Sequence, residues 1–75
     1  MVLHIEAIAV DKNSGRSFRY YLLSDDRSIE LNILNDASFM HHMTTIFEFP
    51  TIDSSELMSL LKSNCNQTLL IEVGA

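Results

Sequence analysis

Residues 2–23 read VLHIEAIAV-DKNSGR-SFRYYLL, and the reading of this stretch decides the fold. In Val2–Val10 the residues Leu3, Ile5, Ala7 and Ala9 occupy alternate positions, which in a strand is one face. Phe18, Tyr20 and Leu22 do the same in Ser17–Leu23. Between them Asp11–Arg16 is rich in turn formers around Lys12-Asn13-Ser14-Gly15, and Gly15 can supply a positive φ. This predicts a β-hairpin. An antiparallel register with Ala9 opposite Phe18, Ala7 opposite Tyr20 and Ile5 opposite Leu22 puts both apolar sets on one side and sets small residues against large ones. A slip of one residue would turn one set outward. The opposite face carries His4, Glu6, Ile8, Arg19, Tyr21 and Leu23. Its apolar members Ile8, Tyr21 and Leu23 stay outside unless a helix, a second subunit or a partner covers them.

Working outward, Ser24-Asp25-Asp26-Arg27 reads as a polar turn. Ile29, Leu31 and Ile33 then alternate with Glu30 and Asn32, so Ser28–Leu34 is read as a third strand. The spacing Ile29, Ile33, Ala37, Met40 is also helical, and the alternative is one helix from about Ser28 to Met43 in a ββαβαβ order. Asn35–Met43 follows as a short helix with Asp36 as its cap. Thr44–Phe49 is β-branched and aromatic and reads as a strand ended by Pro50.

The helix signal over Asp53–Ser63 is the clearest in the chain. Asp53 is placed as N-cap, Glu56 stands three residues on as in a capping box, and Ile52 and Leu57 hold the staple positions. Leu57, Leu60 and Leu61 give an apolar face, Lys62 suits the last turn, and Asn64 is a stop. Gln67–Val73, apolar on both faces, reads as an interior strand. Strand, helix and strand over Thr44–Val73 are compatible with a right-handed parallel crossover. The expected architecture is α+β: one small two-layer domain over 1–75, with an N-terminal hairpin in a four- to five-stranded mixed sheet and one or two helices packed on it.

Composition narrows the function. A chain of 75 residues buries only about 60% of the surface its unfolded form exposes. Cys65 stands alone, so no internal disulfide can staple the fold. The domain therefore rests on apolar packing, helped by self-association if that occurs. No basic, apolar leader opens the sequence and no apolar run approaches bilayer length, so a cytoplasmic protein with no membrane partner is expected. Residues 1–27 hold four acids and four bases, whereas residues 28–75 hold six acids against Lys62 alone and carry the whole net charge of −5. Direct nucleic-acid binding needs clustered Lys and Arg, and an acidic chain does not offer them.

Each candidate for chemistry has a plainer reading. His41-His42, between Met40 and Met43, are sequence neighbours whose side chains diverge, so they do not make a two-histidine metal site. Cys65 sits beside Asn64 and Asn66 just past a helix C-terminus and reads as a lone buried or half-buried small residue. The serines lack a nucleophile-elbow context, and two glycines cannot build a phosphate loop. Asp25-Asp26 are adjacent acids in a turn, which ordinarily are solvated. No catalytic residue, metal or cofactor is expected.

Phe39, Met40 and Met43 alternate with Ser38, His41 and His42. They read either as the apolar side of a short element capping the core or as an adaptable surface for a partner. The expectation is a non-enzymatic interaction module, a small regulator or accessory protein that binds a protein partner or itself. Its candidate partner-binding residues are Ile8, Arg19, Tyr21, Leu23, Phe39, Met40 and Met43. The alternatives are an acidic nucleic-acid mimic that inhibits a DNA- or RNA-binding protein, and a small oligomeric enzyme with an interfacial site using His4, His41 or His42.

Overall fold

The computed structural model describes residues 2–11 and 17–74, with side-chain environments for 4–11 and 17–72. Strands β1 (Val2–Asp11) and β2 (Phe18–Ser24) form the expected hairpin. The turn expected at Lys12–Gly15 lies outside the described residues. The register differs from expectation by two residues: Ala7 faces Leu22, Ala9 faces Tyr20, and Ile5 faces Ser24. A two-residue shift leaves every side chain on the face it had, so apolar alternation is blind to it. The observed pairing sets Ser24, buried, at the end of β2. Its hydroxyl donates to Asp26 Oδ1 at 2.9 Å and accepts from the Ile29 N–H at 2.9 Å. That serine shapes the turn into β3 (Glu30–Ile33), with Arg27 in the left-handed region at φ 63°. The third strand thus lies within Ser28–Leu34, and the long-helix alternative is excluded.

After β3 the chain enters α1 (Asp36–His41). Asn35 is the cap, accepting from the Ser38 N–H at 2.8 Å, in place of the expected Asp36, whose carboxylate is engaged elsewhere. Thr44–Phe49 is not a strand. The helix continues and widens into a π turn over His42–Ile46, with the Phe47 N–H bonded to the His42 carbonyl at 3.1 Å. The Thr44 hydroxyl donates back to the Met40 carbonyl at 2.7 Å, so a β-branched residue is satisfied within the helix. Phe39, Met43 and Phe47 recur every four residues, and burial of this stripe overrides local β preference. Glu48, in the left-handed region at φ 58°, ends the segment.

Helix α2 spans Thr51–Ser63 with Pro50 at the N-cap and Asn64 at the C-cap. It begins two residues before the expected Asp53. Asp53 therefore lies in the first turn, the Asp53–Glu56 capping box does not form, and Ile52 is exposed where a staple residue would pack. Its inward side consists of Ser54, Leu57, Met58 and Leu61, not the expected Leu57, Leu60 and Leu61, and Leu60 points toward solvent. Strand β4 (Leu69–Gly74) then pairs antiparallel with β1, Ile5 facing Ile71. The sheet order is β3-β2-β1-β4 and all its pairings are antiparallel, so the crossover is not parallel and β4 is an edge, not an interior, strand.

The result is the expected small α+β fold, a four-stranded sheet with helices on one side. From the sheet, Ile5, Ala7, Ala9, Tyr20, Leu22, Ile33 and Ile71 meet Phe39, Met43 and Leu61 from the helical layer. Ala7 and Ala9, both fully buried, let the helices approach the two central strands closely. Tyr20 and Phe39 stack with ring centroids 4.5 Å apart and a tilt of 33°. No helix among the described residues is long and apolar enough to cross a membrane.

Candidate functional site

Because both helices lie on one side, the other side of the sheet is bare of any further layer among the described residues. Antiparallel pairing places side chains of paired residues on the same face, so this surface can be written as rows across the strands. One row is Val10–Arg19, the next Ile8–Tyr21–Asn32, and the third Leu70–Glu6–Leu23–Glu30. His4 and Glu72 form the last. Tyr21 is 37% and Leu70 69% exposed, while Ile8, Val10 and Leu23 are half-buried. Glu6, Ile8, Tyr21, Leu23 and Thr68 outline a shallow hollow of about 170 Å³.

The charges on this face are separated along the strands. Arg19 stands near the hairpin end, and its Nε is buried without a hydrogen-bond partner among the described residues. Glu6, Glu30 and Glu72 stand toward the other end. Beyond them the His4 ring lies 3.3 Å from Asp25 Oδ2, in an exposed pair. The face therefore has an apolar middle, a cationic end and an anionic end.

Of the residues singled out from sequence, Ile8, Arg19, Tyr21 and Leu23 are brought together here. Phe39 and Met43 are not surface residues: both are core, with 0% and 1% exposure. Met40 is half-buried on α1, on the opposite side of the sheet. Sequence reasoning missed Leu70 and Val10. Val10 continues the alternation of Ile8, a signal present in the chain, whereas the exposure of Leu70 follows from the edge position of β4.

A second hollow, about 450 Å³, opens where β2, the start of α1 and the end of α2 meet, lined by Phe18, Leu34, Asn35, Asp36 and Lys62. Its charged groups, Asp36 and Lys62, are already committed to one another. The Tyr20 hydroxyl donates to Asp36 Oδ1 at 2.6 Å, the Lys62 ammonium donates to Asp36 Oδ2, and Lys62 Nζ lies 5.5 Å from the Phe18 ring centroid. Burial, reinforced by the Asp36 carboxylate, pushes the Tyr20 phenol far above its ordinary range. Burial alone would raise Asp36, but its bonds from Lys62 and Tyr20 prevail and hold the carboxyl below its ordinary value. This arrangement clamps β2, α1 and α2 together.

The remaining ionisable groups are dispersed. His42 Nδ1 lies 2.9 Å from the Ser38 carbonyl, and His41 is exposed. Among the described residues no three His, Cys, Asp or Glu side chains converge as metal ligands do. In the Asp25-Asp26 turn, the exposed Asp26 carboxyl is held below its ordinary value by hydrogen bonds from Ser28 and Ser24. Cys65 is half-buried in the turn after α2. Comparison of the chain with protein-family models, with curated proteins and with solved structures gives no match.

Proposed function

We propose that this protein is a non-enzymatic binding module whose working surface is the bare side of its sheet. The observation that carries this reading is the middle of that face, where Ile8, Tyr21, Leu23 and Leu70 present apolar surface around a shallow hollow with no covering layer among the described residues. Apolar surface rimmed by charge is the general signature of a protein-binding patch. A polar or charged residue at Tyr21 or Leu23 would remove the attraction without touching the core, because both point away from it.

The test is a comparison of wild type with Leu23→Asp and Tyr21→Ser, each checked for native circular dichroism. Wild type should associate with a protein partner or with itself, and both variants should lose that association. Equal association by all three would overturn the reading. The acids after residue 27 divide between the bare face (Glu30, Glu72), the Lys62 clamp (Asp36), the exposed end of the π turn (Glu48) and exposed positions of α2 (Asp53, Glu56), so a single nucleic-acid-like array draws no support from their placement.

A further inference from the structure

We infer that the occupant of the bare face is a second copy of this chain, packed sheet against sheet about a twofold axis that crosses the strands at the Ile8–Tyr21 row. The inference rests on the proposed binding role of that face and specifies its partner. Two sheets packed face to face keep their strands near alignment, about 10 Å apart, with side chains of the inner faces interdigitating. A homodimer of this kind must match its own surface under the symmetry operation.

The rows show that this surface is self-complementary under one axis and not the other. Arg19 and Leu23 lie two residues on either side of Tyr21 along β2, each about 7 Å from that central row. A twofold axis lying across the strands at that row brings Ile8 and Tyr21 of the two copies together. It also carries Arg19 of one copy over Leu23 of the other, between Glu6 and Glu30, which flank Leu23 on β1 and β3. None of these three charged groups has an ion-pair partner among the described residues. A twofold axis running along the strands would instead set the Arg19 ends against each other and the glutamate ends against each other. Charge thus selects the first arrangement, and symmetry supplies every Arg19–glutamate contact twice.

The test is sedimentation equilibrium of the full chain from about 5 μM to about 1 mM, a range suited to an interface near the small end of specific contacts. Wild type should show a monomer–dimer equilibrium. Leu23→Asp should abolish it, and Arg19→Glu or Glu30→Arg should each weaken it by about tenfold or more, since each contact occurs twice. The double reversal Arg19→Glu/Glu30→Arg should recover most of the affinity, which folding damage would not do. Leu60→Asp, on the solvent side of α2, should leave dimerisation unchanged. A dimer disrupted by Leu60→Asp but not by Leu23→Asp, or a double reversal that stays as weak as the single variants, would overturn the inference. A chain that stays monomeric at the highest concentration also overturns it. In that case a partner lost on Leu23→Asp would leave the binding-face reading standing, and the absence of any such partner would refute both.

Discussion

Replacing Tyr20 by Phe deletes one oxygen from the fully buried ring that donates a 2.6 Å hydrogen bond to Asp36. The ring itself stays against Phe39, so packing is preserved. Hydrogen bonds to charged groups contribute about 1.5–3 kcal/mol. The Asp36 side chain keeps 44% of its exposure, so water can take up part of the lost bond, and Tyr20→Phe should cost about 1 kcal/mol. Asp36→Ala should cost more, about 2–3 kcal/mol, because it leaves a buried phenol without an acceptor and also releases Lys62. In Tyr20→Phe/Asp36→Ala no orphan hydroxyl remains, so the double variant should cost about 1–2 kcal/mol, well short of the sum. The assay is urea unfolding followed by circular dichroism at pH 7, where about 1 kcal/mol moves the midpoint by about 1 M for a domain of this size. The pair carries a pH signature as well. The phenol of Tyr20 is raised in the folded state, so its stabilisation is complete below the unfolded value of about 10 and is lost as pH rises above it. Wild type should therefore lose stability at alkaline pH more steeply than Tyr20→Phe. Additive costs in the double variant, or identical alkaline limbs, would refute the coupling of Tyr20 to Asp36.

Other perturbations separate the remaining assignments. The Asp36 carboxyl is depressed in the fold, so its contribution is present above an unfolded pKa near 4 and lost as pH falls through the lower folded value; Asp36→Asn should flatten the acid limb of a stability–pH curve, partially because Asp26 is depressed too. Asn35→Ala should destabilise by about 1 kcal/mol as a lost cap, whereas Asp53→Ala should cost under about 0.5 kcal/mol; chemical denaturation of the two would reverse that order if the capping box were real. Leu61→Ala, at a position with no exposure, should cost about 2–5 kcal/mol, a large part of a small domain's stability, read as the loss of a cooperative thermal transition or a greatly lowered Tm.

The bare-face residues Ile8, Arg19, Tyr21 and Leu23 were readable together because alternation in β1 and β2 assigns each side chain to a face whatever the register. Phe39 and Met43 illustrate the opposite case. Their spacing marks an apolar side, but an apolar side can face the core or a partner, and only the docking of α1 on the sheet decides which. Leu70 was hidden for a related reason. A strand apolar on both faces reads as interior, and its true exposure depends on its neighbours in the sheet.

By itself the sequence determined the hairpin, the turn at Ser24–Arg27, the long helix and the side of the hairpin that enters the core. These follow from interactions between near neighbours and from a period-2 pattern that needs no knowledge of the rest of the chain. The tertiary structure decided the register, which apolar alternation had left two residues off, the choice of strand over helix at Glu30–Ile33, the helical fate of Thr44–Ile46, the start of α2 at Thr51 and the edge position of β4. Each of these is a choice among alternatives that local chemistry leaves nearly equal in free energy. Burial of the Phe39–Met43–Phe47 stripe and the pairing of β4 with β1 broke the tie, and both are contacts between segments distant in sequence.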